Sequence, residues 1–234
     1  MPAKQNDGRR TVLVTGANRG IGLEFARQYH AAGWRVIGTA RDPGNARDLK
    51  SVGDDVRIEQ LEVADLSSVK AMAKSLDGQP IDLVINNAAL GMDVSALSSV
   101  KLDNLEQLLR TNVLGPMQVT QALLPNLRAG KGKMIVGLSS GLGSITQNEG
   151  GGYYGYRESK AAIGMFMRNL AAELKGDGFI CIAIDPGWVK TDMGGPNAQL
   201  TVDQSIGGMR KVFDSLKVAD TGKFYRHDGA TLPW

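Results

Sequence analysis

A chain of 234 residues, 42% hydrophobic and 22% charged, is long enough for one sizeable core and short for two domains. Its 27 basic and 24 acidic residues nearly cancel, leaving +3, and the only basic cluster is Lys4 to Arg10, so the charge makes no case for nucleic acid or an anionic membrane as partner. One cysteine excludes an internal disulfide, and two distant histidines, His30 and His227, argue against a histidine-based metal site.

Along the chain, residues 1–10 read as a solvated N-terminal tail and residues 11–234 as a single domain. Strands are expected near Thr11–Thr15, Arg35–Thr39, Val56–Leu61, Asp82–Ile85, Lys133–Leu138, Phe179–Asp185 and, more weakly patterned, Lys223–Tyr225. Helical patterns lie between them near Gly20–Ala32, Ser67–Ser75, Leu102–Arg128, Tyr154–Lys175 and Val202–Ser215. Asp103, with Glu106 three residues later, has the spacing of a capping box, and Pro125 predicts a kink or an end in the third helix. Short β-branched runs alternating with helices are the pattern of an α/β fold, a doubly wound, seven-stranded parallel sheet with helices on both faces. Cys181, inside the apolar run Phe179–Ile184, reads as a buried structural thiol. No apolar stretch approaches the length of a membrane span, and Met1–Asp7 lacks the apolar segment of a secretion signal. A cytoplasmic protein is expected.

Two motifs carry chemistry. Thr15-Gly16-Ala17-Asn18-Arg19-Gly20-Ile21-Gly22 follows the first strand and opens the first helix. Gly16 suits the tight turn, Gly20 the approach of backbone to a pyrophosphate, and Gly22 close helix–strand packing, while the helix N-terminus offers N–H groups to phosphates. The second motif is Tyr156-Arg157-Glu158-Ser159-Lys160. Four residues apart on a helix, the phenol and the ammonium share a face, and a positive charge beside a phenol favours phenolate. Such a group can exchange a proton with a carbonyl or alcohol oxygen while a nicotinamide exchanges hydride. Tyr153 and Tyr154 are rival phenols, but neither has a lysine four residues on. The second strand ends Thr39-Ala40-Arg41, placing arginine where a carboxylate would hold the NAD ribose, and Arg19 could approach a 2′-phosphate from the other side. NADP(H) is therefore favoured over NAD(H), with Asp42 as the residue through which NAD could still bind.

The chain resembles the classical short-chain dehydrogenase/reductases, a Rossmann-type family, over nearly its whole length. The resemblance rests on Thr15-Gly16-x3-Gly20-x-Gly22, Asn86-Asn87-Ala88-Ala89, Asn112, Ser139-Ser140, Tyr156-x3-Lys160 and Asp185-Pro186-Gly187. Gly150–Lys160, Pro186–Asn197 and Asp228–Trp234 are similar to the C-factor/sniffer-type carbonyl reductases. The resemblance implies Tyr156 as general acid, Lys160 lowering its pKa and binding the nicotinamide ribose, Ser140 polarising the substrate oxygen, and Asn112 holding a water in a proton relay. Ser140 is preferred to Ser139 because the resemblance places the catalytic serine second in the pair; at a strand end the two point opposite ways, so only one can face the cofactor. It further implies cofactor contacts from Gly16, Asn18, Arg19, Gly20, Ile21 and Gly22; from Arg41; from Glu62 and Val63 beside the adenine; from Asn87, Ala88 and Ala89; and from Pro186, Gly187, Val189 and Thr191 around the nicotinamide. Ala89 stands where the family has glycine, and Glu62 where it often has aspartate.

These readings make a small-molecule carbonyl compound the substrate and a homodimer, paired through helices 102–128 and 154–175, the assembly. The segment from Met193 to Pro196 suits a lid, and Leu142, Ile145, Trp188 and Met193 are candidate apolar pocket residues that could equally be core. The alternative reading, from a different class, is a nucleotide-binding regulator or intercellular signalling protein of C-factor type.

Overall fold

The computed structural model describes residues 8–91 and 96–234. Seven strands, β1 Thr11–Val14, β2 Arg35–Ala40, β3 Arg57–Gln60, β4 Leu83–Asn86, β5 Met134–Leu138, β6 Ile180–Asp185 and β7 Phe224–Arg226, form one sheet in the order β3-β2-β1-β4-β5-β6-β7. Every pairing is parallel. The strand order reverses between β1 and β4, and a crevice at the carboxyl ends of strands beside such a switch point is where ligands bind in open α/β sheets.

Helices α1 Gly20–Ala31, α2 Arg47–Lys50, α3 Leu66–Ser75, α4 Leu102–Leu109, α5 Gly115–Ala129, α6 Tyr156–Leu174 and α7 Val202–Ser215 cover both faces. Successive strand residues alternate between two cores. Val12 and Val14 enter a cluster with Phe25 and Tyr29 of α1 and Met209 and Phe213 of α7. Leu13 enters the other, with Met72 of α3, Leu123 of α5 and Met167 of α6. The inner strands, buried on both faces, read as continuous apolar runs, which is why the sequence located them; the edge strand β3, Arg57–Gln60, is polar and partly exposed.

The third helical pattern is resolved into α4 and α5 joined by a π-helical turn, Arg110–Leu114, in which Gly115 N–H donates to the Arg110 carbonyl. The expected capping box is absent: Lys101 occupies the N-cap position and Asp103 lies inside the first turn, where its charge faces the helix dipole favourably. Nor does Pro125 end the helix, which runs on to Ala129. Pro125 and Gln121 are both exposed, so the carbonyl deprived of its donor faces solvent. The sixth helix begins at Tyr156 rather than Tyr154, with Gly155 as its N-cap and the Glu158 carboxylate accepting from Gly155 N–H at 2.6 Å.

Arg9 and Arg10, read as tail, are attached to the domain. Arg9 pairs with Asp55 at 2.7 Å, and the Arg10 guanidinium lies 4.6 Å from the centroid of Trp34. No helix among the described residues is long and apolar enough to cross a membrane.

Cys181 lies in β6 with no exposed surface, and burial, then the Glu173 charge, push its thiol up to about 12. The thiolate is the reactive form, so Cys181 is expected to resist alkylation by iodoacetamide at pH 8 in the folded protein and to react once guanidinium unfolds it. Labelling followed by intact-mass measurement tests this, and rapid modification of the native chain would contradict it.

Candidate active site

The carboxyl ends of β1, β4, β5 and β6 bring the two sequence motifs to one edge of the sheet. The turn from β1 into α1 is held by side chains from β4's continuation. Asn87 Nδ2 donates to the carbonyls of Thr15 and Gly16 at 2.8 and 3.1 Å, and the Thr15 hydroxyl accepts from the N–H groups of Asn87 and Ala88 at 2.9 and 3.0 Å. A Cβ on Gly22 would overlap the Gly16 carbonyl oxygen and sit 2.6 Å from Asn87 Nδ2, so only glycine fits there. Arg19 is the N-cap of α1 without a side-chain cap, and the first turn holds no acidic residue. The positive end of that helix is left to whatever anion enters. These features fit a dinucleotide pyrophosphate. Asn87 and Ala88 are thus loop-holding residues here; Ala89 is half-buried beside them.

At the adenosine end, the Asp42 carboxylate caps the turn Pro43–Asn45, accepting from Gly44 N, Asn45 N and Asn45 Nδ2. Arg41, exposed at the end of β2, is the neighbouring charged side chain. Arg19 donates to Asp192 at 2.9 Å, with both side chains largely exposed. The Glu62 carboxylate accepts from Ala64 N–H at 3.2 Å, and the Ser68 hydroxyl accepts from Glu62 N–H. Val63 is buried, packed where a Cβ on Gly115 would fall 2.9 Å from its Cγ2.

The serine pair at the end of β5 splits as strand geometry requires. Ser139 is buried and donates to the Lys160 carbonyl at 3.0 Å, tying β5 to α6. Ser140 is half-buried, accepts from Leu142 N–H at 3.2 Å, and hydrogen-bonds the Tyr156 phenol. Lys160 is almost wholly buried; its Nζ donates to the Leu138 carbonyl at 2.8 Å and lies 5.5 Å from the centroid of the Tyr156 ring. The structure therefore assembles Ser140, Tyr156 and Lys160 at one point.

The electrostatics differ from the expectation that Lys160 lowers the phenol. Burial pushes Tyr156 up to about 12, the Asp185 charge adds to that, and the Ser140 hydrogen bond pulls the other way. Burial also brings Lys160 down to about 8, against the raising effect of Asp185. Taking both groups out of water penalises their charged forms, and the ammonium already spends a proton on Leu138. The protein's own groups hold a protonated phenol, the form required of an acid.

Asn112, in the π-helical turn, is also consumed locally. Its Nδ2 donates to the Leu90 carbonyl and the Ser159 hydroxyl at 2.9 and 3.1 Å, and its Oδ1 accepts from Leu90 N–H at 2.7 Å. Ser159 in turn donates to the Tyr156 carbonyl at 2.8 Å. The side chain braces α6 against the segment after β4.

Beyond β6, Ser205 donates to the Pro186 carbonyl, and Gly187 N–H donates to the Asp185 carboxylate. Leu200 bonds Trp188 O and Lys190 N, so the peptide groups of the intervening Val189 point away from Leu200. Thr191 Oγ1 accepts from Gly194 N–H at 3.1 Å and lies over the glycine loop, where a Cβ on Gly20 would meet Thr191 Cγ2 at 3.5 Å. Trp188 Nε1 donates to the Gly194 carbonyl at 2.7 Å. Ile145, Trp188 and Met193 are exposed by 77%, 53% and 56%, which removes them from the core. Sequence reasoning missed one charged member of the site, Asp185. Its signal was its place immediately before Pro186-Gly187 at a strand's carboxyl end.

A family model described as short chain dehydrogenase matches residues 10–200. The C-signal protein of Myxococcus xanthus is 39% identical over 166 residues, covering 71% of this chain and all of the relative. Among solved structures, an NADPH-bound carbonyl reductase from chicken fatty liver superposes with a TM-score of 0.89 at 36% identity, covering 97% of this chain and 99% of that one. The carbonyl reductase Sniffer of Drosophila melanogaster gives 0.91 at 29% identity, covering 97% and 100%. A glycine loop at the first strand–helix turn, a serine–tyrosine–lysine cluster at the carboxyl edge and a matching model over most of the chain agree: this protein is a member of the short-chain dehydrogenase family.

Proposed function

We propose that this protein is an NADP(H)-dependent reductase of aldehydes or ketones, with Tyr156 as general acid. The observation that carries the reading is the meeting of Ser140, the protonated Tyr156 phenol and the buried Lys160 beside a turn shaped for pyrophosphate. When bound, the dinucleotide supplies hydride to the carbonyl carbon. Ser140 orients the substrate oxygen and stabilises charge growing on it, and Tyr156 gives that oxygen its proton. Lys160, fixed by Leu138, then stabilises the phenolate left behind. With the Asn112 amide committed to Leu90 and Ser159, its contribution is to hold Tyr156's helix, and any relay water is served by main-chain groups of the π-helical turn.

Gly16, Asn18, Gly20, Ile21 and Gly22 would surround the pyrophosphate, and Pro186, Gly187, Val189 and Thr191 the nicotinamide. The preference for NADP(H) is supported by Asp42: its carboxylate is committed to the turn it caps, leaving Arg41 as the charged group presented at the end of β2. A cationic fork suits a 2′-phosphate. Arg41→Ala is expected to weaken NADPH binding roughly tenfold to a hundredfold, the scale of a lost charge-assisted hydrogen bond, and to leave NADH binding nearly unchanged. Titration of the two nucleotides by fluorescence checks this.

The exposed apolar side chains of Trp188 and Met193, on the segment that follows Pro186-Gly187, support a hydrophobic carbonyl substrate. A homodimer is supported by apolar side chains left outward on α4 and α6, including Leu102 and Met165, exposed by 74% and 63%. The C-signal likeness favours a second reading, a signalling protein that binds nucleotide without turnover. Turnover of NADPH with a panel of aldehydes, ketones and α-diketones separates the two. Reduction of a carbonyl establishes the enzyme, and tight nucleotide binding with no substrate across the panel favours the signalling role.

A further inference from the structure

Asp185, the last residue of β6, has a carboxylate set at the centre of the catalytic edge. Its Oδ1 accepts from Gly187 N–H at 3.0 Å, and a Cβ placed on Gly141, the residue after Ser140, would lie 3.4 Å from Oδ2. The backbone on either side is fixed. Asp185 O accepts from His227 N–H at 2.8 Å, and Ile184 O accepts from Ser139 N–H at 2.8 Å. Ile184 is the register partner of Leu138, whose carbonyl takes the Lys160 ammonium.

The charged and titratable groups around this carboxylate are Tyr156 and Lys160 from α6, Arg226 from β7 and His227 just beyond it. Arg226 is forked onto Asp228, at 2.9 and 3.0 Å from Nε and 2.5 Å from Nη2, so its hydrogen bonds are engaged there. Nothing in the roles given above uses the carboxylate of Asp185, beyond its capping of Gly187.

We propose that Asp185 sets the charge of the site, favouring the oxidised, cationic form of the bound dinucleotide over the reduced, neutral form and so biasing the bound equilibrium toward carbonyl reduction. The inference rests on the reading of the site as a nicotinamide-dependent reductase. As hydride passes to the carbonyl carbon, the nicotinamide ring is oxidised and gains a positive charge, and the carbonyl oxygen takes the Tyr156 proton. Asp185 immediately precedes Pro186-Gly187, the segment assigned to the nicotinamide, and a fixed negative charge there stabilises the product form of the ring. The same charge opposes phenolate at Tyr156, which keeps the acid loaded between turnovers. The overall equilibrium of free substrates and products is untouched; what moves is the affinity of the protein for one redox form against the other.

The test is the pair of dissociation constants for NADP+ and NADPH, measured by calorimetry at pH 7 on the full chain. Asp185→Asn keeps the size of the side chain and an acceptor for Gly187 N–H while removing the charge. It is expected to weaken NADP+ on the order of tenfold and to leave NADPH within about twofold, the scale of one charge acting in a partly buried site. Asp185→Glu, which keeps the charge, retains the discrimination. Asp185→Ser, neutral with a shorter acceptor, replaces Asp185→Asn if that variant does not fold. Constants that move together, or not at all, in a variant that still binds nucleotide overturn this inference and leave the reductase reading standing. A wild-type protein that binds neither nucleotide overturns both.

Discussion

Tyr156→Phe is expected to lower kcat for carbonyl reduction by about 10³-fold, within the range that a positioned general acid contributes, while NADPH binding and folding stay close to wild type. The substitution removes one oxygen, and the ring remains packed beside Lys160. The phenol's own bond partner is Ser140, which is half-buried and can turn to solvent. The pH dependence follows from the direction of the shift. Tyr156 is raised to about 12 by burial, so the acid needed for reduction is fully protonated from pH 6 to 9, and reduction should not fall across that range through loss of this proton. Alcohol oxidation needs the phenolate and should rise with pH from 6 until Lys160, brought down to about 8 by burial, loses the charge that stabilises it. Steady-state rates in both directions test the pair of statements. A variant that keeps a tenth or more of wild-type reduction, or a wild-type oxidation rate that falls between pH 6 and 8, would remove Tyr156 from the role.

Gly22→Ala should be the most damaging single-methyl change at the nucleotide end. The added carbon overlaps a backbone oxygen, that of Gly16, and crowds Asn87 Nδ2, which itself holds the carbonyls of Thr15 and Gly16. Backbone cannot swing aside as a flexible side chain can, so α1 must shift away from β1 or the Asn87 bonds must break. The expected cost is about 3 kcal/mol of stability, typical of overpacking a close contact, with at least a tenfold loss of nucleotide affinity because the α1 N-terminus no longer sits in place. Thermal unfolding with and without NADPH reads both effects. Gly207→Ala, inside α7 with open space around it, is the matched control: it should leave nucleotide affinity unchanged and raise stability by roughly 0.5–1 kcal/mol, the helix preference of alanine over glycine.

These effects concentrate at one edge of the sheet, and the two ends of the site differ in how they were prepared. The pyrophosphate turn is built by backbone and held by Asn87, rigid before any ligand arrives. The segment after Val189 is tied to itself and to Leu200 by the Lys190–Leu200, Gly194–Thr191 and Trp188–Gly194 hydrogen bonds, and to the glycine loop by the exposed Arg19–Asp192 pair. An exposed ion pair of this kind is worth little, so that tie to the glycine loop can break at small cost. Arg19 thereby bridges the glycine loop and the segment expected to act as a lid.

The architecture and the central chemistry were written locally. The central strands are short apolar runs, because a parallel sheet covered on both faces buries both sides of its inner strands, and such runs are visible without knowing their neighbours; the edge strand β3, Arg57–Gln60, is polar and only partly buried. Gly16, Gly20 and Gly22, and Tyr156 with Lys160, are spaced by the geometry of one turn and one helix, so their relation survives in the linear order. What depended on distant partners was not legible. Asp103 offered a capping spacing, yet the helix starts at Leu102 with Lys101 at the N-cap, which leaves Asp103 inside the first turn. Asn112 carries a motif asparagine, but only the fold brings Leu90 and Ser159 to its amide and so commits it to bracing. Arg41 favoured NADP(H) in the sequence with Asp42 as its rival, and only the fold commits the Asp42 carboxylate to the turn it caps. The sign of the Tyr156 shift depends on how much water burial removes and on Asp185, which is 29 positions away in sequence (185 − 156). Spacing along a chain reports groups joined by one element's geometry, whereas desolvation and the pairing of charges are properties of the packed volume, and these only the tertiary structure decided.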